Sequence, residues 1–149
     1  LATIPAWYRY VSLPRILTPH PAEMARLTGS TTADVQSNRL EGVMEYAAQT
    51  ASVVVLKGAC TIVAAPDGRA RISGSSNPTL ATAGTGDVLA GLIGGLLAQG
   101  LDPFDAASAA VYMHVDAARE VENLYGSAAG LAQDLLRSIG EVRKRLDGQ

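Results

Sequence analysis

Gly84-Thr85-Gly86-Asp87 stands at the head of the apolar run Val88-Leu89-Ala90-Gly91-Leu92-Ile93, so an acid directly follows a glycine turn that opens a helix. That is the layout of a phosphoryl-transfer site. Gly84 and Gly86 allow turn angles closed to other residues and leave no side chain between backbone amides and a bound anion. A helix over about 87–98 would add the positive end of its dipole, with Asp87 beside the reacting group as a base. A plainer reading has Thr85 capping the helix, Asp87 complementing its dipole and the glycines allowing close packing. On a bare Gly-x-Gly-Asp that plainer reading is the stronger; the surrounding residues reverse the preference.

Two further segments sit where an α/β sheet binds ligands, at the carboxyl end of a strand. Thr18-Pro19-His20-Pro21-Ala22-Glu23 leads from a strand into a helix. His20 could touch a substrate there, although taken alone it fits a capping or turn role better, and Glu23 reads as a partner of the helix dipole. Lys57-Gly58-Ala59-Cys60-Thr61 offers a cation and a glycine to a nucleotide's phosphate or ribose, against the alternative of a solvated lysine before a turn. His114 and Asp116 lie two apart in a helix, share no face, and read as structural or surface residues. With two histidines and the single Cys60, the composition supports neither a metal cluster nor a cysteine nucleophile. No Walker-type Gly-x-x-x-x-Gly-Lys-Ser/Thr occurs, so any nucleotide must be held by other means.

The elements that must position these residues can be read from pattern. A strand over 15–18 feeds a helix that Pro21 opens and Gly29 closes. One helix is expected from about 31 or 32 to 50, with Val35, Leu40, Val43, Met44 and Ala47 at helical spacing. The β-branched run 52–56 predicts a strand buried on both faces. Strands over 61–65 and 69–73 flank the turn Pro66-Asp67-Gly68. Helices are then expected over 87–98, about 103–123 and about 128–146, with breaks at Gly100 and Gly126. Strands that alternate with helices and then give way to them argue an α/β layered domain.

The chain has 149 residues, 48% hydrophobic and 17% charged, enough for one globular domain. A net charge of −2 and a pI near 5.6 give no general attraction to nucleic acid or an anionic membrane. The apolar stretch 88–98 is too short to span a bilayer, and Pro5, Arg9 and Pro14 break up any apolar signal core. A cytoplasmic protein without membrane or nucleic-acid partners is expected. The start at Leu1 and the patternless residues 1–14 suggest a piece of a longer chain.

Together, Leu17-Thr18-Pro19-His20-Pro21-Ala22-Glu23-Met24, Val55-Leu56-Lys57-Gly58 and Gly84-Thr85-Gly86-Asp87-Val88-Leu89-Ala90-Gly91 resemble, in this order, the carboxyl-terminal half of the ADP-dependent NAD(P)H-hydrate dehydratases. The tail Gly130-Leu131-Ala132-Gln133-Asp134-Leu135-Leu136 resembles that family's last helix. The resemblance covers 15–149, leaves 1–14 unmatched, and implies the carboxyl-terminal portion of a ribokinase-like three-layer α/β/α sandwich.

It also implies a function: dehydration of the S-epimer of hydrated NADH and NADPH, with ADP as phosphate donor, magnesium as its companion ion, and release of AMP and phosphate. Asp87 matches the family's acid, serving as base and substrate contact; His20 matches a position touching the hydrated dinucleotide. Gly84, Thr85 and Gly86 match the phosphate cradle, and Lys57, Gly58, Ala59, Cys60 and Thr61 the nucleotide-binding segment. A homo-oligomer, a homotetramer by resemblance, and fusion or pairing with an NAD(P)H-hydrate epimerase are further implications. Ala22 stands where the family usually has glycine, and Ser76-Asn77-Pro78-Thr79 replaces Gly-Asn-Pro-Gly. The competing readings are an ATP-dependent kinase of a small alcohol and a catalytically incomplete nucleotide-binding fragment.

Overall fold

Pro21 has no N–H to leave unpaired at the start of a helix, and Gly29 can take the left-handed geometry that ends one. In the computed structural model, which describes residues 1–12 and 14–148, the segment between them is helix α1, Pro21–Thr28, closed by Gly29 at φ +70°. Leu13, in the expected 1–14 segment, and Gln149, at the end of the expected 15–149 domain, lie outside the described residues. The structure divides into two compact units, Leu1–Ile72 and Ser73–Gln149.

The first unit begins with turns and a short 3-10 helix, Trp7–Tyr10, and continues through β1 (Ile16–Leu17) into α1. Next come α2 (Thr32–Ser37), α3 (Arg39–Thr50), β2 (Val53–Leu56), β3 (Ile62–Ala64) and β4 (Ala70–Ile72). The single helix expected to reach residue 50 is therefore two. Asn38, at φ −136° and ψ 54°, leaves helical geometry between them. Val35 and Val43, on either side of the break, are both buried in one core.

The four strands form one mixed sheet in the order β1-β2-β3-β4. β1 pairs parallel with β2, Ile16 opposite Val53, whereas β2–β3 and β3–β4 are antiparallel. The hairpin turn falls at Pro66-Asp67-Gly68, with Gly68 at φ +91°. Val54, Leu56, Ile62 and Ala64 pack with Met24, Val43, Tyr46 and Ala47. Val53, Val55 and Val63 on the opposite face are buried as well, as the unbroken β-branched run predicts. β4 is exposed along its whole length.

The second unit is helical: α4 (Thr85–Ala98), α5 (Pro103–Tyr125) and α6 (Ala132–Asp147), preceded by a 3-10 turn, Pro78–Ala81. The three helices pack on one another. Ala106, Ala107, Ala110, Ala117 and Ala118 are fully buried along α5, and their small side chains let the neighbouring helices approach closely. Burial of Leu89, Ile93, Leu135 and Val142 adds roughly 1.5–3 kcal/mol for each side chain. α6 starts at Ala132 rather than near 128. Gly130 is buried against Val121 and Thr79, and a Cβ on it would lie 2.8 Å from Thr79 Cγ2, so the chain must pass this point as a close crossing before it can coil.

Candidate active site

The register that sets Leu17 opposite Val54 brings the carboxyl ends of β1 and β2 to the same edge of the sheet, and the Lys57 N–H extends the pairing by donating to Pro19 O at 2.9 Å. His20 and Lys57, separated by 36 intervening residues in the chain, are thereby assembled at one edge. His20 is the N-cap of α1. Its Nδ1 accepts from the Glu23 N–H at 3.2 Å, and its own N–H donates to Glu23 Oε2 at 2.7 Å. The capping role that the residue alone suggested is present, and the imidazole remains about half exposed, at 47%.

Glu23 does more than complement the helix dipole. Its Oε1 lies 3.5 Å from His20 Nε2 and its Oε2 lies 3.8 Å from Lys57 Nζ, so one carboxylate joins the two sequence-expected residues. Partial burial pushes the Glu23 pKa up, but the His20 backbone N–H and the charges of Lys57, His20 and Arg26 outweigh it and hold the carboxyl below its ordinary value. Beyond Lys57 the chain turns through Gly58 at φ +154°, with Ala59 and Cys60 exposed and the Thr61 hydroxyl 3.4 Å from Gly58 O. A cavity of about 460 Å³ in this unit, lined by Trp7, Met24, Val35, Val43 and Tyr46 among others, includes none of these residues.

In the second unit the glycine turn opens α4 one residue pair earlier than expected. Gly84, at φ +88° and ψ −15°, occupies the N-cap position, and its carbonyl accepts from the Asp87 and Val88 amides at 3.1 and 3.2 Å. Thr85 is therefore not the cap. Its hydroxyl is turned inward to Leu80 O and Thr82 O at 2.7 and 2.8 Å, and the residue is buried. The hydroxyl is committed to the fold, and the Thr85 N–H also donates to Thr82 O at 3.3 Å. Among the described residues no backbone carbonyl accepts from the Gly86 amide, which leaves it free to meet an anion. Asp87 follows in the same helical turn, exposed, and no hydrogen bond or ion pair among the described residues engages its carboxylate.

The glycine turn is buttressed from α5 and from the segment just before α6. Asn77 Oδ1 accepts from the Thr79 N–H at 2.9 Å while its Nδ2 donates to Glu122 Oε2 at 2.8 Å. Thr82 Oγ1 lies 3.4 Å from Gly130 O. His114 is 6% exposed, and its backbone partner is Thr85. Burial pushes the imidazole down to about 4, against the opposing effect of that hydrogen bond, and Nε2 has no partner among the described residues. Sequence pattern placed His114 only as structural or surface; nothing in its spacing announced a link to the turn 29 residues earlier. No group of three or more histidine, cysteine, aspartate or glutamate side chains fit to hold a metal occurs among the described residues. Nor is any helix among them long and apolar enough to cross a membrane.

The chain is similar to known proteins. The chain is 52% identical over 132 residues to the ADP-dependent (S)-NAD(P)H-hydrate dehydratase of Neisseria meningitidis serogroup B, covering 88% of this chain and 45% of that protein. It is 47% identical over 134 residues to the bifunctional NAD(P)H-hydrate repair enzyme Nnr of Moorella thermoacetica, covering 90% of this chain and 25% of that one. A solved structure of the ADP/ATP-dependent NAD(P)H-hydrate dehydratase from Bacillus subtilis, co-crystallized with ATP/Mg2+, superposes with a TM-score of 0.85 at 41% identity, covering 89% of this chain and 48% of that chain. This chain thus spans less than half the length of these relatives, and its fold is the ribokinase-like α/β/α sandwich to the extent that the chain covers it. The family model for NAD(P)H-hydrate dehydratase matches residues 6–141, and the chain belongs to that family.

Proposed function

We propose that the protein carrying this chain dehydrates the S-epimer of hydrated NADH and NADPH, with ADP as phosphoryl donor and AMP and phosphate as products. Asp87 takes the proton of the damaged ring's hydroxyl as the β-phosphoryl group of ADP moves onto that oxygen. The phosphate then leaves with the C–O electron pair, the ring gives up a proton, and the double bond of the reduced nicotinamide is restored. The observation that carries this reading is the exposed, unpaired Asp87 carboxylate one residue after the free Gly86 amide, at the positive end of a 14-residue helix. Charge gathering on a transferred phosphoryl group would meet donors already fixed in place.

In the same reading Gly84, Thr85 and Gly86 contribute backbone to the phosphate cradle. Lys57, Gly58, Ala59, Cys60 and Thr61 hold the nucleotide, and His20 touches the dinucleotide. Magnesium fits this donor set as a nucleotide-borne ion: with a single carboxylate at the turn, most of its coordination would come from phosphates and water. When bound, it would neutralise phosphate charge. The bifunctional relative supports pairing with a second repair activity, which we assign to an epimerase. A cytoplasmic homo-oligomer is part of the same proposal.

The test is Asp87→Asn in the full protein. Formation of reduced nicotinamide from its hydrate with ADP should fall by about 10²–10⁴-fold, with ADP binding retained. Wild-type turnover by the variant would refute the role of Asp87, and a stable phosphorylated product from the wild type would point to a kinase instead.

A further inference from the structure

Arg39 opens α3 and carries its guanidinium onto the 57–61 loop. Nη2 donates to Cys60 O at 2.8 Å and lies 3.5 Å from Leu56 O, while Nη1 donates to Gln36 Oε1 at 2.8 Å. The group also occupies the space beside Gly58. A Cβ on that residue would lie 2.6 Å from Nη1, 2.9 Å from Nη2 and 3.1 Å from Cζ. One planar cation thus brackets the loop, holding the carbonyl just before Lys57 and the carbonyl of Cys60. The absence of a side chain at Gly58 is what lets it lie there.

We propose that Arg39 is a positioning residue for nucleotide binding, tying the Leu56 and Cys60 carbonyls together so that the Lys57–Cys60 turn is set before the nucleotide arrives. The inference rests on the nucleotide-binding role proposed above for residues 57–61. Guanidinium suits the task because its donors are spread in a rigid plane and can reach two acceptors and Gln36 at once, which a lysine ammonium on a flexible stem does not reproduce. A loop frozen in advance loses less freedom on binding, so the effect belongs in nucleotide affinity and not in the chemical step. Gly58 serves the same arrangement: φ +154° is strained for other residues, and any side chain would displace the guanidinium.

The experiment is calorimetric titration of the full protein with ADP, alongside steady-state kinetics and amide hydrogen exchange of the nucleotide-free protein. Arg39→Ala should weaken ADP binding about tenfold and speed exchange at residues 58–61. The KM for the hydrated dinucleotide and kcat at saturating ADP should stay within about twofold of wild type. Arg39→Lys should recover only part of the loss. If Arg39→Ala fails to fold, Arg39→Met serves in its place, since it keeps the aliphatic stem on α3 while removing the donors to Leu56 O, Cys60 O and Gln36, and it should show the same split. Unchanged ADP affinity in the folded variant overturns the inference, as does a loss shared equally by ADP and the dinucleotide. A wild-type protein that binds neither ADP nor ATP overturns the nucleotide role of the loop itself, and that failure is visible without any variant.

Discussion

Lys57 Nζ lies 3.8 Å from Glu23 Oε2, and the other oxygen of the same carboxylate lies 3.5 Å from His20 Nε2. The two residues expected to meet different ligands, one a nucleotide and the other a dinucleotide, are thus held by a common anion at the carboxyl edge of β1 and β2.

Glu23→Gln keeps an oxygen to accept from the His20 N–H but removes the charge. Because the Glu23 pKa is lowered in the fold, its contribution is complete above the ordinary value of 4.5 and is lost as pH falls through the lower folded value. With the pair about 40% exposed at the glutamate, solvent screening limits the effect to a few tenths of a kcal/mol. Urea unfolding from pH 7 to pH 3 should show a slightly shallower acid loss in the variant, while ADP affinity falls as Lys57 loses its tether.

His114 adds an acid sensitivity of the same sign from a different cause. It is buried neutral, with its pKa pushed down to about 4, whereas the unfolded chain takes up that proton near 6.5. Stability is therefore full above about pH 6.5 and is withdrawn as pH falls to about 4, by roughly 3 kcal/mol at most. His114→Gln, which cannot take up a proton, should flatten the stability profile across that window, as read by denaturant midpoints at successive pH values.

Asn77 caps the 3-10 turn and reaches Glu122 with its amide, two tasks that Asn77→Asp separates. An aspartate still accepts from the Thr79 N–H but sets a second carboxylate against Glu122. Asn77→Asp should cost about 1–2 kcal/mol, and adding Glu122→Gln should return most of it, as a double-mutant cycle in urea would measure.

Gly130→Ala would push a methyl into Val121 and Thr79, both buried. The expected loss is about 1–3 kcal/mol. Val121→Ala should relieve part of it in the double variant, because the space it vacates lies where the new methyl must go. A thermal melt of the three variants decides the point.

Much of the fold was legible locally. Pro21 and Gly29 bounded α1, the run ending at Leu56 read as a doubly buried strand, and Pro66-Asp67-Gly68 marked the hairpin. The misses share one cause. The break at Asn38 and the late start of α6 carry no strong turn signal of their own; residues far along the chain, buried with Val35, Val43 and Gly130, decided them. Thr85 looked like a cap because it precedes the helix acid, but the left-handed geometry open to Gly84 gave the cap position to the glycine.

By itself the sequence determined which groups capable of chemistry this chain carries. Glycines flanking Thr85, an acid at the head of an apolar helix, a histidine between prolines and a Lys-Gly at a strand end are local facts, since turn angles and helix dipoles depend on neighbouring residues. Tertiary structure decided what holds those groups in place. Parallel pairing of β1 with β2 put Lys57 and His20 on one carboxylate, Arg39 reached the 57–61 loop from a different helix, and His114 came to rest behind Thr85. Glu23 meets His20 at the three-residue spacing of a capping box, but Lys57, Arg39 and His114 have no fixed spacing from the groups they meet, because those contacts are made by packing between elements and no repeat along the chain records them.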